Sequence, residues 1–231
     1  MPIEIPKFRY DPHGIPILSK QQLETYALYL LSISKTISFS EPMVFDVEKF
    51  IEYTLEYDLH YDHLSHNGCI LGAATFSPCL FPVYDPVAKE AKEIFLPNKT
   101  ILIDCSLDCG KKQALCRFSL AHEAAHTVLH PYYYQQHRAI ACMRQDIDFD
   151  NIHSRPPRIL TTPLDWLEYQ ANYLAGALLI NKPMLDKLVG NIPYNPDFSY
   201  IFNLSLKVAE FFKVSQSAAE ARLSNVYGLR Y

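Results

Sequence analysis

The sequence predicts an α+β fold, and three observations support this prediction. Apolar residues recur three and four positions apart in the early and late parts of the chain and around Ala121, which is the pattern of amphipathic helices. Between Tyr57 and Asp104, short apolar or β-branched runs are broken by Gly and Pro, which is typical of a small, mainly antiparallel sheet. A hydrophobic content of 49% over 231 residues is sufficient for a sizeable core.

The N-terminal part is predicted to contain an arm followed by two helices. Prolines at positions 2, 6, 12 and 16 fix the backbone of residues 1–18, so we expect an extended arm there. Ser19 and Gln22 form a capping box for a helix over about 20–33, and a second helix is expected to start near Asp46. We divide the remaining chain into a main domain over 19–190 and C-terminal helices over 191–231.

Four strands are predicted in the middle of the chain: Cys69–Phe76, Leu80–Tyr84, Glu93–Leu96 and Thr100–Asp104. Because the last two are separated by only three residues, residues 94–103 are expected to form a hairpin that leads into the next helix. An edge strand next to that helix could hold an extended peptide by backbone pairing.

The segment Arg117–His130 contains the motif His-Glu-x-x-His. A helix turns about 100° per residue, so His122 and His126 project from one face and can bind one ion. Imidazole nitrogens suit Zn²⁺, with Mn²⁺ as an alternative, and Glu123 is placed to take a proton from an attacking water. The pattern predicts a zinc hydrolase. The competing interpretation is a pair of core histidines with protein partners only.

A catalytic zinc needs three protein ligands and an open position. We predict Glu168 as the third ligand, because it lies on a strong helix that Thr162 and Pro163 begin. Asn172 is four residues further and shares its face, so it can accept the outward N–H of a ligand histidine. His130 is an alternative third ligand, but it lies about 6 Å further along the helix axis, which favours an outer or structural role.

Other clusters give weaker signals. A polar segment could bind a metal but is expected to be a solvated connector; it holds Asp58, His60, Asp62, His63 and His66. Cys105 and Cys109 lack a second cysteine pair and are interpreted as plain thiols. One of the tyrosines 132–134 could stabilise an oxyanion, although packing is the commoner role. Residues 132–162 show no clear periodicity and are expected to form a long loop.

Composition limits the partners and the compartment. A net charge of −4 and a pI near 6.1 argue against nucleic acid as the main partner. The N-terminus has no secretory pattern and no segment reaches the length of a membrane span, so we expect no membrane association. Six cysteines in such a chain suggest reduced thiols. These features together predict a cytoplasmic protein.

The end of the chain has helix-turn-helix spacing. Two short helices are predicted over Asn203–Lys213 and Ser215–Leu223, with polar caps and a tight turn between them. The second helix offers Arg222 as its single cation. This composition favours a packing or partner-docking pair over DNA recognition.

These motifs resemble the ImmA/IrrE-type metallopeptidases of bacteria and their mobile elements. The resemblance rests on Arg117–His130, on the run from Glu168 through Asn172 to Ala175, and on Val214–Leu223. It implies a compact zincin-like peptidase domain with helix-turn-helix-like helices, acting in the cytoplasm on DNA-bound repressors. The chain departs from the family pattern at Ala124–Ala125, where Leu-Gly is usual, and in a longer insertion over 132–162.

The sequence therefore predicts a zinc endopeptidase that acts on an intracellular protein, with a helix-turn-helix repressor as the expected substrate. His122, His126 and Glu168 would bind one zinc ion, Glu123 would act as the catalytic base, and Asn172 and His130 would be outer partners. The alternative is a catalytically silent regulatory module that docks on a repressor without cleaving it. Direct DNA binding is the least favoured possibility because of the negative net charge.

Overall fold

A computed structural model describes residues 8–34, 36–37, 39–107, 110–137, 141–144 and 160–229. Within them the chain forms eight helices and six strands, which confirms the α+β class. The helices are α1 (Lys20–Ser34), α2 (Val47–Lys49, continued by the π-helical Phe50–Leu55), α3 (Gln113–Leu129), α4 (Pro131–His137), α5 (Pro163–Leu179), α6 (Lys182–Val189), α7 (Phe198–Phe212) and α8 (Gln216–Tyr227). The strands are β1 (Asp58–Asp62), β2 (Ile70–Ala74), β3 (Cys79–Asp85), β4 (Glu90–Leu96), β5 (Thr100–Asp104) and β6 (Ala141–Arg144).

The strands form a four-stranded sheet, ordered β1-β5-β2-β6, and a separate hairpin of β3 and β4. In the sheet β1 is parallel to β5, and β2 is antiparallel to β5 and β6. The predicted hairpin over 94–103 is wrong, because β4 pairs with β3, with Cys79 opposite Leu96. All five residues of β5 are buried, so this strand needs a neighbour on each side. Most of β4 is exposed, and Lys99, at a φ of 61°, lies in the turn between the two sheets.

Three segments expected to be irregular or extended have regular structure. The polar connector at Asp58–Asp62 is the edge strand β1. The predicted loop over 132–162 contains α4 and β6. Pro131 can begin α4 because the first residue of a helix does not need a backbone N–H, which proline lacks. The rest of this loop, apart from residues 160–162, lies outside the described residues. Residues 9–17 form a hairpin instead of an extended arm, closed by an antiparallel bridge between Tyr10 and Pro16.

One main core extends from the N-terminal hairpin to the last helix, and its buried side chains include Ile15, Leu30, Ile103, Leu174 and Leu223. Helix α3 packs against α5 on one side and against β2, β5 and β6 on another. A smaller cluster lies between the sheet and the β3–β4 hairpin. The α+β arrangement is compatible with a zincin-like domain. No helix in the described ranges combines the length and hydrophobicity needed to cross a bilayer.

The C-terminal helices α7 and α8 pack on each other around a tight turn. Lys213 ends α7 in the left-handed conformation, and Ser215 caps α8 by accepting from the Ala218 amide. Helix α7 begins five residues earlier than predicted, where Asp197 supplies the N-cap. A helix-turn-helix identity for this pair, and a domain boundary near residue 190, stay predictions.

Candidate metal centre

Helices α3 and α5 supply the side chains of the candidate centre. Helix α3 is buried from Ser119 to Leu129, since it packs between the sheet and α5. His122 and His126 are 1% and 0% exposed. Helix α5 starts at a complete capping box between Thr162 and Asp165, which sets where Glu168 falls on the next turn. The side chain of Glu168 remains about one-third exposed, at 30%.

Three potential ligand atoms converge between these helices. The Nε2 atoms of His122 and His126 are 3.0 Å apart. Glu168 places Oε2 3.2 Å from the first and Oε1 3.5 Å from the second. Ligand atoms that bind zinc tetrahedrally at about 2.0–2.1 Å are about 3.3 Å from one another. In the part of the chain that the structure describes, this trio is the one group of His, Cys, Asp and Glu that could hold a metal.

The outer nitrogens of both histidines have partners. His122 Nδ1 lies 3.1 Å from Asn172 Oδ1, an oxygen that can only accept, so His122 donates through Nδ1. His126 Nδ1 lies 2.9 Å from His130 Nδ1. Asn172 thus makes the contact expected from its spacing. His130 takes an outer position against His126 and is not a member of the converging trio.

The pKa shifts of these side chains are consistent with a cation-binding site between them. Burial alone would raise the pKa of Glu168, but its contacts with His122 and His126 hold that pKa well below its usual value. Burial also lowers the pKa of His126 and, more strongly, that of His130. At His122 the bond and charge of Glu168 outweigh burial and raise the pKa. A metal cation would replace the proton that His122 shares with Glu168.

Glu123 lies beside the first histidine and is fully buried. Strand β2 passes directly against it at Gly72, where an added Cβ would lie 3.0 Å from Glu123 Cγ and 3.2 Å from Oε1. The absence of a side chain at residue 72 therefore makes room for Glu123. Sequence reasoning missed this contact, and its one available signal was a glycine inside an apolar strand.

The other residues that the sequence suggested for a site lie outside the converging trio. Tyr134 is buried and its Oη lies 3.5 Å from His126 Nδ1, on the side opposite the converging Nε2 atoms. His60 contacts Asp62 at 3.7 Å on β1. Cys105 Sγ lies 3.1 Å from His63 Nδ1, so this thiol has a histidine partner that the sequence did not suggest. Cys109 lies outside the described residues.

A cleft of about 440 Å³ lies between α3, α5 and α8. Its wall includes Asn172, Phe118 and Tyr169, together with Gly176 and the start of α8. None of the three converging residues lines it. The cleft therefore borders the outer side of His122, behind Asn172.

Comparison with known proteins agrees with this arrangement. Residues 110–224 match the family model described as the IrrE N-terminal-like domain, a peptidase family. This span, about half of the chain, includes α3, α5 and most of α8. The curated proteins give no significant match. The match and the metal-ligand geometry together identify the chain as a member of the ImmA/IrrE family of metallopeptidases.

Proposed function

We propose that the protein is a zinc-dependent endopeptidase that cleaves an intracellular protein, and that this substrate is a DNA-binding repressor. The observation that supports the chemistry best is the convergence of His122, His126 and Glu168, with Glu123 next to the first of them. The three residues would hold Zn²⁺, with Mn²⁺ as the alternative ion. The bound metal would supply Lewis-acid activation of the water and of the peptide carbonyl.

The side chains of this chain would perform the remaining steps. Glu123 takes a proton from the attacking water and later passes it to the leaving amine. Its burial between α3 and β2 keeps the carboxyl group in one position. Asn172 and His130 orient the ligand histidines through their Nδ1 atoms.

Two features favour a protein as the substrate. Among the described strands, β6 is an edge of the four-stranded sheet and contacts α3, so we propose that an extended segment of another protein pairs with it. Arg222, the single basic residue of α8, is 3% exposed and pairs with Glu24 through two hydrogen bonds, so it is not available to a phosphate. This burial supports a protein partner for the C-terminal helices over direct DNA binding.

The proposal is tested by incubating the zinc-loaded protein with the helix-turn-helix repressor encoded beside its gene. Mass spectrometry should find a single internal cleavage that a chelator abolishes and added zinc restores. The Glu123→Gln variant should bind zinc normally and cleave about 10²–10⁴-fold more slowly, because it lacks the general base.

The same assay separates peptidase from regulatory module. If the repressor binds to the zinc-loaded protein but stays intact over long incubation, the catalytically silent module is the correct function. If Glu123→Gln cleaves as fast as the wild type, Glu123 is not the base. If neither binding nor cleavage occurs with this repressor, the proposed substrate is wrong.

A further inference from the structure

The outer side of His126 continues into a longer hydrogen-bond chain. His130 Nδ1 faces His126 Nδ1 at 2.9 Å, and His130 Nε2 lies 3.1 Å from Gln170 Oε1. Gln170 then donates through Nε2 to the Pro16 carbonyl at 2.6 Å. The side chains of His126, His130 and Gln170 are at most 2% exposed, so water does not compete for these contacts.

The donor and acceptor roles in this series of hydrogen bonds follow from its outer end, the Pro16 carbonyl. A backbone carbonyl can only accept, so Gln170 must present its NH₂ group to Pro16 and its oxygen to His130. That oxygen also only accepts, so the His130 proton resides on Nε2 and His130 Nδ1 keeps its lone pair. His126 must then donate through Nδ1, which leaves the Nε2 lone pair directed at His122 and Glu168.

The N-terminal hairpin brings the Pro16 carbonyl to this position. Asp11 closes the turn, because its Oδ1 accepts from the amides of His13 and Ile15. Gly14 has a φ of +85°, and a Cβ there would lie 3.0 Å from the Tyr132 ring. The hairpin is thus held between its own turn and α4.

We propose that the hairpin of residues 9–17 belongs to the metal site: through Gln170 and His130, the Pro16 carbonyl selects the metal-binding tautomer of His126. Gln170 and His130 are positioning residues, since neither is in the converging trio. This proposal rests on the proposed metal ligands but not on peptidase activity. A protein that binds zinc and cleaves nothing would leave it intact.

The direct test is the tautomer of each histidine in the metal-free wild-type protein. Long-range ¹H–¹⁵N correlation spectra at mildly alkaline pH should show His126 protonated on Nδ1 and His130 on Nε2. A predominant Nε2–H form of His126, or an Nδ1–H form of His130, would overturn the proposal. This measurement needs no variant, so it does not depend on how a substitution folds.

A matched pair of variants tests the effect on the metal. The Asn side chain places an oxygen near the position of a histidine Nδ1, so His130→Asn keeps the near acceptor for His126. His130→Leu removes it and leaves His126 with the more distant Tyr134 hydroxyl, at 3.5 Å. Competition with a chelator should show zinc affinity about 10–100-fold lower in His130→Leu and within about threefold of wild type in His130→Asn. Equal losses in both variants, or none in His130→Leu, would contradict the proposed role of His130.

The hairpin itself is tested by a second pair. Gly14→Val should displace the turn from Tyr132, free Gln170 to flip, and give His130 a mixture of both tautomers in the same spectra. Gly68→Val is the control, because Gly68 also has a positive φ, of +66°, but a Cβ there meets nothing within 4 Å. A single unchanged tautomer in Gly14→Val, or the same mixture in Gly68→Val, would show that the hairpin does not select it.

Discussion

The two histidines of the metal centre lie one helical turn apart, yet their outer nitrogens meet different surroundings. On the open side, His122 contacts Asn172, an exposed side chain that lines the 440 Å³ cleft. On the closed side, His126 begins a buried chain through His130 and Gln170. Water can replace a lost partner on the open side but not on the closed side. The same helix therefore presents one adaptable and one rigidly held candidate ligand.

Glu168 serves both sides, so its loss should have the largest effect. Glu168→Ala removes the carboxylate that contacts both Nε2 atoms and should lower zinc affinity by more than the roughly 100-fold typical of the strongest outer partners. Elemental analysis after dialysis measures the retained zinc. Glu210→Ala, on the exposed face of α7, is the control. A Glu168→Ala protein with full zinc would remove Glu168 from the ligand set.

Gly72 tests how closely the carboxyl group of Glu123 must be held in place. A methyl group at Gly72 would force Glu123 to move, so Gly72→Ala should slow hydrolysis of the identified substrate by up to about 100-fold while zinc content stays unchanged. Turnover at saturating substrate, together with zinc analysis, measures both effects. Normal turnover would show that the site tolerates displacement of the base.

The wall of the open side depends on the pair of Glu24 and Arg222. Glu24→Gln should lower the free energy of unfolding by about 2 kcal/mol, because Arg222 is buried while Glu24 is partly exposed. Burial alone would raise the pKa of Glu24, but the hydrogen bonds and charge of Arg222 lower it. The stabilisation is therefore present above the ordinary carboxyl pKa and is lost as pH falls through the depressed value. Denaturant unfolding at several pH values should show a smaller acid dependence in the variant; an identical acid dependence would exclude this pair as its source.

Asn172 measures how adaptable the open side is. Asn172→Ala should lower zinc affinity by about tenfold, the lower end for an outer partner, because water can accept from His122 Nδ1. Asn225→Ala is the control, since Asn225 lines the same cleft and bonds Lys20. If the loss in Asn172→Ala equals that in His130→Leu, the distinction between the two sides fails.

Substitution of Gly176 should have the smallest effect, and it should stabilise the fold rather than weaken it. It lies inside α5, and a Cβ there would meet nothing within 4 Å. Gly176→Ala should therefore raise the free energy of unfolding by about 1 kcal/mol, with zinc affinity unchanged. Thermal and denaturant unfolding measure it. Slower hydrolysis by this variant would indicate that the cleft must stay open during turnover.

Local sequence patterns predicted the helices of the metal centre and the residues that meet there. Four-residue spacing determines that His122 and His126 share a face, and the Thr162–Pro163 start places Glu168 and Asn172 on one face of α5. The Ser19 capping box is present as expected, with Ser19 and Gln22 exchanging hydrogen bonds. These features depend on contacts within a few residues, which a sequence displays directly.

Strand pairing and the outer shell could not be predicted in this way. The two partners of β5, which are β1 and β2, are determined by burial on both of its sides, whereas adjacency along the chain suggested β4. Gln170 is a polar residue on a largely apolar helix, with no spacing that links it to His130 or to Pro16, which lies 154 positions away. Gly72 likewise meets Glu123 only because β2 crosses α3.

The sequence by itself determined the composition of the candidate metal site, because helical periodicity aligns side chains that are neighbours on one helix. The tertiary structure decided which sides of that site are open or closed. It brought the hairpin, β2 and α8 against α3 and α5 from distant parts of the chain. Those contacts depend on which surfaces the folded core buries together, and burial is a property of the whole chain rather than of any local segment.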